Sequence, residues 1–259
     1  MGKLLRVCVI GDAQQPEFRY ALSKIYTGAY VCHSPSLEDF LQIETSPDAV
    51  ALLQSYPGEF SVDDIECVID RNPLSALILV TSSWGEGERR TGFPVKDAIR
   101  IAWYDFPCCF ERQKTLFNSG GLSQLSLPRT ASDAQRAELD SQNEFPARTG
   151  DVFWVFSDSA AQRETLSRFY SSLGATVWTG GMTSAFPKES HFAQPTRIVV
   201  FPDYLSDGVF EKVAQLKAHY PNAAIYVIAY QPRIEEIESL RQQGADAVLS
   251  PEFYQYAAF

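Results

Sequence analysis

Three aspartates in the second half of the chain, Asp158, Asp203 and Asp207, flank short apolar runs. Carboxylates gathered at strand ends make a weak chelate for a hard cation such as Mg²⁺ or Mn²⁺. Asp207 reads equally well as a helix cap, because an amphipathic run follows it. Anion chemistry is offered by Gly85 to Gly92 (GEGERRTG), where exposed backbone amides together with Arg89 and Arg90 could cradle a phosphate or carboxylate. The loop lacks the GxxxxGK spacing of a phosphate-binding loop, its two glutamates oppose an anion, and no helical pattern follows. A solvated loop, or a contact with the other half, explains it as well. His33, His191 and His219 are isolated, and Ser82 and Ser83 lack a GxSxG elbow, which argues against a serine hydrolase. The five cysteines, Cys8, Cys32, Cys67, Cys108 and Cys109, show no CxxC spacing, so neither a zinc site nor a disulfide framework is expected and a reducing cytoplasm fits. Cys108 and Cys109 follow Phe106-Pro107 in apolar surroundings and read as structural thiols, with redox sensing the alternative.

Holding such groups in place requires a scaffold, and 259 residues at 45% hydrophobic composition suffice for two domains with real cores. Thirty-two acidic against 22 basic residues give a charge of −10, which repels a phosphate backbone and excludes nonspecific nucleic-acid binding. No apolar run has the length of a membrane span, and Met1 to Gly11 turns polar too quickly for a signal peptide. In the second half, strands over Val152 to Phe156, Thr176 to Thr179, Arg197 to Phe201, Ala224 to Ala229 and Ala247 to Leu249 alternate with helical patterns over Ser159 to Leu173, Asp207 to His219 and Pro232 to Gln243. Gly174 stands where a left-handed helix cap is expected. The first half follows the same grammar more loosely, with strands at Leu4 to Ile10, Ala29 to Cys32, Ala49 to Leu53, Ala76 to Val80 and Ile99 to Trp103. Helices are expected there over Pro16 to Tyr26, Leu37 to Ile43 and Val62 to Arg71. Alternation of this kind predicts parallel sheets with helices on both faces. The expected organisation is a domain over 1–118, a linker over 119–150 with a helix at Thr130 to Gln142, and a domain over 151–259.

The second half resembles a response-regulator receiver, a flavodoxin-like domain that accepts a phosphoryl group on an aspartate. The resemblance rests on Val155-Phe156-Ser157-Asp158-Ser159 with the Ala-Ala-Gln-Arg after it, on Asp207-Gly208, and on Gly244-Ala245-Asp246-Ala247-Val248-Leu249-Ser250. It implies a strand-end aspartate as nucleophile, two acidic residues holding Mg²⁺, a hydroxyl after the fourth strand and a lysine after the fifth. Set against that requirement, the acidic pair is Ser157-Asp158 and the nucleophile position is apolar, with Asp203 two residues too late. The hydroxyl position is Ala229, and Pro251 stands for the lysine. The first half gives Gly11-Asp12 for the acidic pair and Gln54 for the nucleophile. Thr81 keeps the hydroxyl, and no lysine follows Ala102-Trp103-Tyr104-Asp105. A glutamine cannot form an acyl phosphate. The resemblance therefore implies two degenerate receiver-like domains in tandem, with Asp12, Gln54 and Thr81 in one pocket and Asp158, Asp203, Asp207 and Ala229 in the other. Residues Pro57 to Ser61 and Ser83 to Gly92 also resemble a planctomycete family that pairs such halves and has no known activity.

The last strand is followed by about ten residues ending at Phe259, too few for the helix that would cover that sheet face. Phe253, Tyr254, Tyr256 and Phe259, or the Thr130 to Gln142 helix, must cover it, or it is left for the first half or a partner. The expectation from sequence is a non-catalytic cytoplasmic signalling or scaffold protein without a cofactor, Mg²⁺ being the weak exception. It would bind another protein or itself, and neither nucleic acid nor membrane. The alternative is a small-molecule or nucleotide-binding protein, or an enzyme, using the strand-end crevice with Thr81, Arg89 and Arg90.

Overall fold

The runs Ala49–Gln54 (AVALLQ), Ala76–Thr81 (ALILVT) and Val152–Phe156 (VFWVF) are buried at every position, as strands covered on both faces must be. The computed structural model describes residues 4–87, 98–128, 130–142, 150–186 and 193–258. It divides into two units, Met1–Glu144 and Phe145–Phe259. Arg89, Arg90, His191 and Phe259 lie outside the described residues.

In the first unit, β1 (Leu5–Ile10), β2 (Ala29–Ser34), β3 (Ala49–Gln54), β4 (Ala76–Thr81) and β5 (Ile99–Ala102) form a parallel five-stranded sheet in the order β2-β1-β3-β4-β5. The helices are α1 (Pro16–Ala21), α2 (Leu37–Gln42), α3 (Val62–Arg71), α4 (Phe106–Asn118) and α5 (Asp133–Gln142). The second unit contains β6 (Val152–Phe156), α6 (Ala160–Ser172), β7 (Thr176–Gly180), β8 (Arg197–Val200), α7 (Asp207–His219), β9 (Ala224–Ile228), α8 (Ile234–Gln242) and β10 (Ala247–Leu249). Its sheet is also parallel, in the order β10-β9-β8-β6-β7. Counted within each unit, both orders are 2-1-3-4-5, the flavodoxin-like arrangement, whose ligand crevice lies at the carboxyl ends of the strands.

Local chemistry sets the helix boundaries. α3 begins where Ser61 Oγ accepts from the Asp64 amide at 3.1 Å while the Asp64 carboxylate accepts from the Ser61 amide at 2.8 Å. α6 is followed by Gly174 at φ +84°, the expected left-handed cap. The helix expected over Pro16 to Tyr26 stops at Ala21 and tightens into a 3₁₀ turn at Leu22–Lys24.

α4 is the largest addition to the sequence reading. Pro107 sits in its first turn, where a missing amide costs nothing, and Phe106, Cys109 and Phe110 turn inward. The stretch after it is tied down: Ser123 Oγ donates to Gln113 Oε1 at 2.9 Å, the Gln124 amide donates to the same oxygen at 2.8 Å, and Leu125 is buried. The first unit thus extends past residue 118 and through α5. In the second unit, Pro251–Ala258 wind into 3₁₀ turns that bury Tyr256, Ala257 and Ala258 against α6, β8, β9 and β10. Tyr170 Oη donates to the Tyr254 carbonyl at 3.0 Å, and Phe169 meets the Tyr254 ring edge-on at 5.0 Å. The aromatic tail itself occupies the place of a last helix. Among the described residues, no helix is long and apolar enough to cross a membrane.

Candidate functional site

The parallel register brings the two crevices into correspondence. Ile10 pairs with Leu52 and Leu52 with Leu79, just as Phe156 pairs with Val200 and Val200 with Val227. Two residues beyond, the first unit places Gln54 directly across from Thr81. The same step in the second unit reaches Pro202 and Ala229. Extended by that step, the register places Pro202 at the position the resemblance assigns to a nucleophile, with Asp203 one residue beyond.

In the first unit the crevice is closed by its own chain. Gln54 and Thr81 are buried. Ser82 Oγ donates to the Ser55 carbonyl at 2.7 Å and accepts from the Gly85 amide at 3.0 Å. Gly85 lies so close that a Cβ there would stand 2.9 Å from the Gln54 carbonyl oxygen. Ser83 is held from two sides: its Oγ donates to Glu17 Oε1 at 2.7 Å and accepts from Trp103 Nε1 at 3.0 Å. At the rim, Asp12 is exposed and its Oδ1 accepts from the Gln14 amide at 2.9 Å. Glu59, which sequence reasoning missed, accepts from the Ser55 amide at 2.5 Å. Burial pushes its carboxyl above the ordinary value of 4.5, the Asp12 charge adds to the shift, and hydrogen bonds from Ser55 and Tyr56 oppose it. Nothing in a Pro-Gly-Glu-Phe turn distinguishes such a glutamate from a solvated one.

The second crevice is more open. Buried Ser157 donates from Oγ to Gln162 Oε1 at 2.5 Å and accepts from the Ser159 amide at 3.2 Å. Asp158 is exposed, and its Oδ1 accepts from the Met182 amide at 2.9 Å, stapling the loop after β7. Asp203 lines a cleft of about 240 Å³ with Pro202, Tyr204, Ala229, Tyr230, Arg233 and Glu236. Asp207 is the first residue of α7, and the cap position belongs to Ser206. Among the described residues no three His, Cys, Asp or Glu side chains gather to hold a metal ion. Asp158, Asp203 and Asp207 form no such group. The residues after β5 are Trp103, Tyr104 and Asp105, and those after β10 are Ser250 and Pro251, so neither fifth strand is followed by a lysine. The Gly85–Gly87 part of the glycine-rich loop forms a 3₁₀ turn.

No protein-family model and no curated protein matches the chain. Among solved structures it is similar to a response regulator from Burkholderia pseudomallei with a phosphorylated aspartic acid, at 23% identity and TM-score 0.33, over 39% of this chain and 59% of that one. It is also similar to the C-terminal part of E. coli RcsC, containing a linker region and phosphoreceiver domain, at 12% identity and TM-score 0.31 over 96% and 87% of the two chains. A D-isomer specific 2-hydroxyacid dehydrogenase from Lactobacillus delbrueckii matches at 8% identity and TM-score 0.26 over 95% and 78%. The fold assignment stands on strand order and register, independently of these overlaps.

Proposed function

We propose that the chain is a non-catalytic signalling or scaffold protein of pseudo-receiver type, acting in the cytoplasm through protein contacts and without aspartyl phosphorylation or a bound metal. The observation that carries this reading is the pair of nucleophile positions: a buried amide, Gln54, in one unit and Pro202 in the other. Neither can accept a phosphoryl group, and no ammonium group follows the fifth strand in either unit to neutralise one. Exposed aromatics stand where a partner would dock. Trp84 (78% exposed) and Tyr56 follow β4 and β3, and Tyr204 (76% exposed) and Tyr230 follow β8 and β9. Aromatic side chains are over-represented in the cores of protein interfaces. The partner is another protein or a second copy of the chain.

Thermal unfolding with Mg²⁺ and beryllofluoride, and with acetyl phosphate, tests the reading. No shift in Tm and no acid-labile phosphate are expected, and stabilisation by beryllofluoride with Mg²⁺ would overturn it. A second reading, a small-molecule or nucleotide-binding protein, is favoured by the 240 Å³ cleft at the strand ends of the second unit. Stabilisation by one member of a nucleotide panel, lost in Arg233→Ala, would promote it over the first.

A further inference from the structure

α7 carries a lysine that the crevice chemistry does not use. Lys212 is only 8% exposed, and its Nζ donates to the Ser184 carbonyl at 2.9 Å. The ammonium lies 4.5 Å from the centroid of Phe156 and 4.7 Å from that of Phe186. Two π faces and one carbonyl orient it, yet they carry no compensating charge. Two other cations with little exposure are compensated: Lys114 by Glu111 at 2.6 Å and Arg197 by Asp151 at 2.8 Å. Among the described residues Lys212 forms no ion pair. A buried charge without a counter-charge is costly, and burial accordingly lowers its pKa from 10.5.

A cleft of about 430 Å³ opens beside it, lined by Met182, Thr183, Phe186, Glu211, Lys212 and Gln215. That volume lies within the roughly 300–1,000 Å³ of small-molecule sites. Among the described residues, the two units differ on the sheet flank beside it. In the first unit, α2 lies against α3 and buries Phe40. In the second, residues 181–186 after β7 run as turns and loop and line the cleft beside α7, the counterpart of α3. The cleft combines apolar walls, hydroxyl and amide groups, and one buried cation. Glu211 is exposed and lines the same cleft, and it forms no ion pair with Lys212 among the described residues.

We infer that this cleft binds a small aromatic carboxylate, its anionic end on the Lys212 ammonium and its ring against Phe186 and Met182. The site lies beside α7, next to the loop that Asp158 staples, and does not depend on the pseudo-receiver reading.

Calorimetric titration of the full chain with 1-naphthoate, with uncharged 1-naphthamide as control, tests the inference. The naphthoate is expected to bind with a Kd below about 1 mM and the amide at least about tenfold more weakly. Lys212→Met keeps the stem and removes the charge, and should weaken naphthoate at least about tenfold. Thr183→Trp fills the cleft from an exposed loop position, leaves Lys212 in place and should abolish binding even if Lys212→Met fails to fold. Equal binding of acid and amide, unchanged binding by either folded variant, or no binding of naphthoate by the parent chain would overturn the inference.

Discussion

The two units share a strand order and a register, yet they resolve the same three structural demands differently. At the strand ends, the first unit buries a polar pair, Gln54 and Thr81, and folds Ser82 to Gly85 over it, whereas the second puts Pro202 and Ala229 there and leaves a cleft. On the flank before the third strand, the first places α2, and the described residues 181–186 of the second form a loop pinned by Lys212. After the fifth strand, the first continues into α4 and the second into a 3₁₀ tail. A parallel sheet requires that its faces be covered and its buried polar groups be satisfied, and it is indifferent to which element does so. The two units satisfy those demands with different elements on one strand order.

The largest effects should separate the two kinds of final cover. Phe110 is buried on α4 and stacked on Phe106 at 5.3 Å, so Phe110→Ala leaves a cavity that a 13-residue helix cannot collapse into. A loss of about 3–5 kcal/mol is expected. Tyr256 is also buried, but in a short 3₁₀ segment able to shift, and Tyr256→Ala should cost about 2–3 kcal/mol. Urea unfolding of both variants measures the difference; a Tyr256→Ala cost equal to that of Phe110→Ala would make the tail as rigid a cover as the helix.

The same contrast explains what the sequence made legible. Runs such as ALILVT and VFWVF carry enough β-branched and aromatic weight to identify central strands, and Gly174 marks a helix end through its own backbone chemistry. α4 escaped notice because its stripe of Phe106, Cys109 and Phe110 is broken by buried Arg112, Gln113 and Lys114, which read as a solvated face until their partners are seen. Lys114, for example, bonds Glu111 and the Thr27 carbonyl, a residue far away in sequence. The amide at Gln54, across from Thr81, could be read from the sequence directly. Closure by Gly85, the half-burial of Glu59 and the seat of Lys212 between Phe156 and Phe186 depend on loop geometry that no spacing encodes.

Of intermediate size is the effect of prising open the first crevice. Gly85→Val would drive side-chain atoms into the Gln54 carbonyl, since even a Cβ would stand at 2.9 Å from it. The loop must lift, at an expected cost of about 1–3 kcal/mol. If it does, the Trp103 indole NH loses its seat on Ser83 Oγ, and its proton resonance should move toward that of a solvent-exposed indole. An unshifted resonance with unchanged stability would mean that the loop is not a plug, and that the first crevice is as open as the second.

The smallest effect concerns pH. Glu59 has its carboxyl pKa raised by burial, so the fold favours its protonated form. The contribution to stability is fully present below the ordinary glutamate value of 4.5 and is lost as pH rises through the raised folded value. Glu59→Gln keeps an oxygen for the Ser55 amide and removes the titration, so stability measured by urea unfolding should fall less across that acid window than in the parent chain. The matching change in the second unit is Ser157→Ala, which removes the hydroxyl bonded to Gln162 and should cost about 0.5–1.5 kcal/mol by an amount independent of pH, because neither partner titrates. A pH slope unchanged by Glu59→Gln but altered by Ser157→Ala would reverse this part of the contrast, placing the titrating strand-end group in the second unit.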